Sequence, residues 1–398
     1  MRLLRLQLFD YRNFHRLDVE LAPGPSVFIG GNAQGKTNFL EAAYLLATMR
    51  GLRAETDVQL IRRQSLDDVI PAARVLAQAE TQNGVLRVEV GVIARPGPHG
   101  PIASKIVRVN GIPRRLSDAV GRLAAVLFTA DDLDLVGGPP SLRRRYLDMS
   151  LTQVERPYVA ARQRFERVLL QRNHLLRRIR EREARPDELS FWDEQLSREG
   201  GLIFHWRATA LRELNILAAE AHAALAPGEE LATRYRPCLE NAAPEELACA
   251  EPQAAIEAYG AALKRGLGYD IAAGMTLQGP HRDDLLFTLN GLPSSGYASR
   301  AQRRTIALSL RLGEASFLLA RRGESPVLLL DDVLSEMDAA RRRSVLASVA
   351  DYEQMLITGT DLDRFPPHFL SRAALFAVEA NSVRPLVAEA ASGRTGET

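Results

Sequence analysis

GGNAQGKT, residues 30–37, combines glycines, a lysine and a hydroxyl at a spacing that suits a phosphate chain. The apolar triplet VFI precedes it and the helical run NFLEAAYLLATM follows, a strand–loop–helix context. Gly30 and Gly35 let the loop curl until its backbone amides point inward, with Gly31, Asn32, Ala33 and Gln34 between them. Lys36 then reaches the β- and γ-phosphate oxygens, and the Thr37 hydroxyl holds Mg²⁺. The helix amino terminus behind the loop adds a favourable dipole. A chance glycine-rich turn is the bland alternative, and the flanking elements argue against it. These residues predict a site for ATP or a related nucleoside triphosphate.

SPVLLLDDVLSEMDAARR, residues 325–342, supplies carboxylates. A buried strand ending at Asp331 places that side chain beside the loop, to hold Mg²⁺ directly or through water. Asp332 then faces the γ-phosphate, where it orients or deprotonates an attacking water. A third stretch, SRAQRRTIALSLRLGEASFLL at 299–319, reads as a helix with a good cap at Ser299. Its first turn carries Arg300, Arg303 and Arg304, although the macrodipole favours negative charge there. An ordinary capped core helix is one reading, since 306–319 is apolar on most faces. The order of loop, Ser-headed helix, carboxylate strand and the SEMD turn at 335–338 resembles ABC-type ATPases. That resemblance implies that Ser299 donates to the γ-phosphate of ATP held by a second subunit.

Positioning these residues requires a sheet at each end of the chain. Strand patterns run over 2–9, 25–29, 85–93 and 106–110, with one apolar helix over 38–49. They return at 274–277, 285–290, 327–330 and 355–358. Between them, from a Gly-Gly-Pro-Pro break at 137–140, residues 141–260 read as almost entirely helical. The simplest account is one α/β domain built from both chain ends with a helical arm inserted. The arm divides by charge: 141–185 holds 13 Arg against 5 acids, and 186–260 holds 5 Arg against 14 acids. Two solvated helical faces that pair antiparallel and neutralise each other would read this way. So would one basic face for nucleic acid and one acidic face for a protein.

Composition bounds the rest. The chain has 398 residues, 46% of them hydrophobic, and a net charge of +2. No apolar run reaches the roughly 20 residues that span a bilayer, and no signal peptide opens the chain. Cys238 and Cys249 do not form a close metal-type pair, which points to a reducing cytoplasm and no structural zinc. Lys36, Lys105 and Lys264 are the only lysines, so an arginine-rich patch has to be discounted before it reads as a DNA site.

Four further stretches carry a family resemblance: YRNF at 11–14, FTADDLDLVGGPPSLRRRYLD at 128–148, GPHRDDL at 279–285 and LITGTD at 356–361. Together with the three motifs above, in this order over nearly the whole chain, they resemble the RecF family of bacterial recombination-repair ATPases. The resemblance implies an ABC-type P-loop ATPase domain of the α/β class with mixed sheets, plus an inserted helical arm. Residues 1–137 and 263–388 would form the ATPase domain, 138–262 the arm and 389–398 a flexible tail. It also implies ATP and Mg²⁺ as cofactors, and adds Arg12 and Gln302 to the nucleotide site. A weak, DNA-stimulated ATPase is expected, which dimerises on ATP into a clamp on double-stranded, gapped or single-stranded DNA. RecR- and RecO-type mediators are the implied protein partners, and no membrane is involved. The sequence departs from the family pattern at Ala301, where glycine is usual, and at Arg300, Ala130 and Met337. Ala301 adds a methyl group where a backbone should approach phosphate.

Rival classes fit less well. A transporter ATPase carries a switch histidine where this chain has Thr358. A coiled-coil chromosome ATPase needs a longer arm than about 120 residues can build at 1.5 Å per residue. A small-molecule kinase would use the loop without a signature helix, and nucleotide-dependent dimerisation separates the two.

Overall fold

The computed structural model describes residues 1–98, 100–240, 243–249, 251–335 and 337–386. The chain forms two compact units. One comprises Met1–Ala119, Ala125–Ala130 and Ser325–Thr398; the other comprises Val120–Ala124 and Asp131–Glu324.

In chain order the first unit contributes β1 (Arg2–Tyr11), β2 (Phe14–Glu20), β3 (Gly24–Ile29), α1 (Lys36–Thr48), β4 (Ala72–Thr81) and β5 (Gly84–Arg95). It continues with β6 (Ile102–Val109), β7 (Ile112–Arg114) and β8 (Ala125–Thr129). The second unit follows with α2 (Pro140–Val154), α3 (Arg156–Arg180), α4 (Ser190–Leu225), β9 (Leu231–Arg236) and α5 (Pro252–Ala273). It closes with β10 (Asp284–Leu289), β11 (Leu292–Pro293) and α6 (Arg300–Arg322). The chain then returns to the first unit with β12 (Val327–Asp331), α7 (Ala339–Ser348), β13 (Gln354–Gly359), β14 (Ala374–Glu379) and β15 (Ser382–Pro385).

The first unit holds two six-stranded sheets. The order β2-β1-β4-β5-β6-β7 is antiparallel throughout. The order β15-β14-β3-β13-β12-β8 is parallel except for the edge hairpin β14–β15. Parallel strands are buried on both faces, which is why β12 reads VLLLD without alternation and is buried along its length. Phe28 of β3 stacks on Phe376 of β14 at 4.8 Å and packs on Phe39 of α1 at 4.7 Å. Gln354 is fully buried and bonds both the N–H and the C=O of Leu3, tying β13 to β1.

In the second unit α3 lies against α4, and their charges meet: Arg164 pairs with Glu199 at 2.8 Å and Arg172 with Asp193 at 2.6 Å. Part of the arm's charge division is therefore internal neutralisation. The antiparallel sheet β11-β10-β9 adds a strand inside the stretch expected to be helical. Residues 274–277 do not form the expected strand. Thr276 gives its backbone N–H and its hydroxyl to Asn173 Oδ1, and Leu277 N donates to Asp270 Oδ1, so side chains satisfy the donors that a sheet would use. β10 pairs with β9 from Asp284–Arg236 to Leu289–Leu231, and α6 packs along α4, which holds Asp131–Glu324 in one compact unit. The expected tail, 389–398, lies outside the described residues.

Candidate nucleotide-binding site

The loop after β3 opens at the carboxyl edge of a parallel sheet, where α/β folds place their ligands. β13 runs between β3 and β12, with Thr358 opposite Phe28 and Ile357 opposite Leu330. That register sets Thr358 between the loop and Asp331. Gly30 and Gly35 of the loop are sterically required. A Cβ on Gly30 would stand 2.2 Å from Val378 O, and one on Gly35 would stand 2.3 Å from Asn13 Nδ2. Gly35 also takes φ +103 as the cap of α1. Gly31, Asn32 and Ala33 form the exposed crest, and Ala33 has φ 61.

Lys36 Nζ donates to Gly30 O at 2.6 Å and Gly31 O at 2.8 Å, folded over the loop it is expected to serve. Burial pushes its ammonium below the ordinary lysine value, and Asp332 and Asp331 counter that shift. Thr37 and Asp331 meet across 294 residues: Thr37 Oγ1 lies 3.0 and 2.8 Å from the two carboxylate oxygens. Asp331 Oδ1 also accepts from Thr358 Oγ1 at 2.9 Å, and the same hydroxyl accepts from Asp332 N at 2.9 Å. Thr358 thus holds the Asp331 carboxylate and the Asp332 backbone, a role the sequence motifs did not assign. A hydroxyl and a carboxylate in contact form a hard-oxygen donor pair that fits Mg²⁺, which takes few protein ligands and completes its shell with phosphate and water.

Asp332 is half-buried with φ 52, a strained conformation for a non-glycine residue. Burial raises its carboxyl above the ordinary value and Asp331 adds to the rise; Lys36 and Arg364 oppose it. Ser335 donates to Asp332 O at 2.8 Å and accepts at its own carbonyl from Arg364, which fixes the turn after β12. Asp338 caps α7 by accepting from Arg341 N at 2.9 Å. Arg12 does not stand alone: it donates to Gln59 O at 3.0 Å and to Glu41 Oε2 at 3.2 Å, and Glu41 is only 1% exposed. Gln34 turns away from the loop interior and accepts from Ala380 N at 2.8 Å.

Ser299 and Gln302 lie in the second unit. Ser299 caps α6: its hydroxyl accepts from Gln302 N at 3.2 Å, and Gln302 Oε1 accepts from Ser299 N at 2.9 Å, a reciprocal capping box. Gln302 Nε2 donates to Glu229 Oε1 at 2.8 Å, so both ends of its amide are engaged. Arg303 folds back onto Ser295 O and Ala298 O at 2.8 and 3.1 Å. Local carbonyls thus take up two of the Arg303 N–H donors in the first turn. Further along α6, Arg311 reaches Asp132 at 2.6 Å and Glu314 at 2.8 Å, and Tyr146 OH donates to Leu310 O at 2.8 Å.

The remaining motif residues build an ionic core in the second unit. Arg207 joins Asp148 at 2.8 Å, Asp283 at 2.9 Å and Pro280 O at 2.5 Å. Tyr158 donates to Asp148 and Tyr235 to Asp283. Arg143 forks onto Asp284 at 2.6 and 3.1 Å. Burial pushes Asp148 upward, but Arg207 and Arg162 outweigh it, and its carboxyl sits below the ordinary value.

The RecF/RecN/SMC N terminal domain family matches residues 2–365. The chain is 42% identical over 389 residues to the DNA replication and repair protein RecF of Chloroflexus aurantiacus, covering 95% of this chain and 98% of that one. It is 36% identical over 386 residues to the RecF of Halalkalibacterium halodurans, covering 96% and 99%. Among solved structures, the recombination mediator protein RecF-ATPrS in the RecFOR pathway superposes with a TM-score of 0.83 at 29% identity, covering 97% and 98%. An Smc head bound to the C-winged helix domain of ScpA shares the fold at a TM-score of 0.51 and 13% identity, covering 97% and 98%.

Proposed function

The chain belongs to the RecF family of DNA replication and repair proteins, and from that premise we propose how its own residues run an ATP-dependent DNA clamp. The observation that carries the reading is the meeting of Thr37, Asp331 and Thr358 beside Lys36. Lys36 exchanges the carbonyls of Gly30 and Gly31 for β- and γ-phosphate oxygens, and the amides of Gly31 to Gly35 cradle the chain of phosphates. Thr37 and Asp331 would hold Mg²⁺, which when bound would neutralise charge developing on phosphate oxygens. Asp332 takes the proton of the attacking water. Arg12 serves the site from the edge of α1, held there by Glu41.

In the same proposal, Ser299 donates its hydroxyl hydrogen to the γ-phosphate bound by a second copy, since its oxygen already accepts within the cap. Two copies then close on two ATP molecules and on double-stranded, gapped or single-stranded DNA, and hydrolysis opens them. Residues 1–137 and 263–388 carry nucleotide chemistry in this reading, with 138–262 as the arm. RecR- and RecO-type mediators are the proposed partners and the cytoplasm the proposed compartment. No helix among the described residues is long and apolar enough to cross a membrane.

Sedimentation with and without ATP, Mg²⁺ and duplex DNA tests the proposal. The wild type is expected to sediment as a dimer only with ATP and Mg²⁺, and Lys36→Met to stay monomeric and lose tight ATP binding. Normal ATP binding by Lys36→Met would remove the loop from the mechanism.

A further inference from the structure

The turn joining β14 to β15 grips the phosphate loop at several places. Val378 O faces Gly30 so closely that no side chain fits between them. Ala380 N donates to Gln34 Oε1 at 2.8 Å. Asn381 Oδ1 accepts from Asn13 Nδ2, and Asn13 Oδ1 accepts from Asn38 Nδ2 at 2.7 Å. Asn13 Nδ2 also occupies the space a Gly35 Cβ would need. The loop is therefore bracketed at its first glycine, at its middle and at its last glycine, and Asn38 extends the grip into the first turn of α1. Four residues of this cluster take left-handed backbones: Arg12 at φ 55, Ala33 at 61, Ala380 at 46 and Asn381 at 62. Such conformations persist where the surroundings over-determine them, and they concentrate at functional sites.

The chemistry of the grip is also informative. A side-chain amide both donates and accepts without carrying charge. Neutral amides can hold a loop that must receive a polyanion, whereas carboxylates there would repel it and cations would compete for it. We infer that Asn13 and Asn381 are positioning residues of the nucleotide site, whose paired amides hold the phosphate loop in the curl that binds a triphosphate. The inference rests on the loop being the nucleotide site. It assigns the hairpin at residues 374–385 a part in nucleotide affinity, although no residue of that hairpin belongs to the phosphate or carboxylate motifs.

A loop that leaves this curl part of the time lowers apparent affinity in proportion to the competent fraction lost, and leaves turnover at saturation unchanged. Aspartate substitutions test this without making a cavity. Asn13→Asp still accepts from Asn38 and takes a bond from a rotated Asn381 amide, and Asn381→Asp still accepts from Asn13. With both substitutions, two carboxylates face each other. Each single variant reports the through-space effect of one added charge on ATP, and these effects multiply in the double variant unless the sites are coupled.

The expected result in the full-length protein is a KM for ATP in Asn13→Asp/Asn381→Asp about tenfold above the product of the single effects, with kcat at saturating ATP unchanged. A KM equal to that product overturns the inference, even if the double variant melts earlier, because the pair would then be structural only. Should the double variant fail to fold, Asn381→Ala removes the acceptor without repulsion. It should raise KM several-fold with kcat intact; a wild-type KM in Asn381→Ala overturns the inference. Lys36→Met separates the two levels. Loss of ATP binding there, together with multiplicative KM effects here, defeats only the role of the amides. Retained ATP binding there defeats the nucleotide site itself.

Discussion

A carboxylate that accepts a proton from water must be ionised when the water attacks, and Asp332 is held where ionisation is harder than usual. Its carboxyl is pushed up chiefly by burial and further by Asp331. Turnover therefore falls as pH drops through that raised value, so the acid limb of the rate profile lies above that of an ordinary carboxylate. Asp332→Asn should spare ATP binding, slow hydrolysis by about 100-fold or more and abolish that limb. A pH–rate profile at saturating ATP checks both, and normal turnover in the variant would move the base to another group. Asp331 and Glu336 are then the candidates, and Glu336 lies outside the described residues. At the same scale, Thr358 sets two adjacent acids differently. One hydroxyl donates to Asp331 and accepts from the backbone of Asp332, so the first is turned toward Thr37.

Elements of the second unit owe their arrangement to buried ions. Arg207 lies on α4 and neutralises Asp148 of α2 and Asp283 just ahead of β10, with the hydroxyls of Tyr158 and Tyr235 completing the cluster. Replacing this arginine removes the ion-pair partner of Asp283 and leaves Asp148 with Arg162 alone, a loss of about 3–5 kcal/mol. Arg207→Met should therefore destabilise α2 and α4 by that amount, read as lost amide hydrogen-exchange protection. Unchanged protection would show that the cluster is incidental. The motifs around residues 128–148 and 279–285 are thus explained as scaffold: Asp132, Arg143, Asp148, Asp283 and Asp284 all end in ion pairs inside this unit. The capping box at Ser299 belongs to the same scale, since it makes the first turn of α6 a rigid tip.

For the whole molecule the decisive question is whether that tip completes a site in a second copy. Ser299→Arg should leave each loop able to bind ATP, because the loop and its partners Asn13, Thr37, Asp331 and Thr358 belong to the other unit. It should nevertheless block ATP-dependent dimerisation, and with it hydrolysis and ATP-stimulated DNA binding. Mixing Ser299→Arg with Lys36→Met chains restores one composite site with an intact loop and an intact helix tip, so part of the turnover should return. The other composite site carries both defects. Dimerisation of Ser299→Arg at wild-type ATP concentrations would reduce the helix to a capped core element and leave the loop assignment standing.

What could be read without coordinates were features whose physics is local. GGNAQGKT needs only its own backbone and the helix that follows to cradle phosphate, VLLLDD announces a buried strand ending in acids, and the Ser299 cap needs only its own first turn. The family order of these motifs carried the fold class and the ATPase. Tertiary structure decided what depends on residues hundreds of positions apart. Thr37 meets Asp331 because β13 inserts between β3 and β12, and Thr358 joins them for the same reason. Gly30 must be glycine because Val378 passes over it, and Asn13 meets Asn381 because β14 lies beside β3. That Arg303 of the first turn of α6 bonds the carbonyls of Ser295 and Ala298 likewise depends on how the preceding turn folds back. Residues 274–277 looked like a strand, but Asn173 and Asp270 take their backbone donors. Periodicity records which residues prefer burial; which strand or side chain satisfies a given backbone group is settled by packing, and packing is not a local property of the chain.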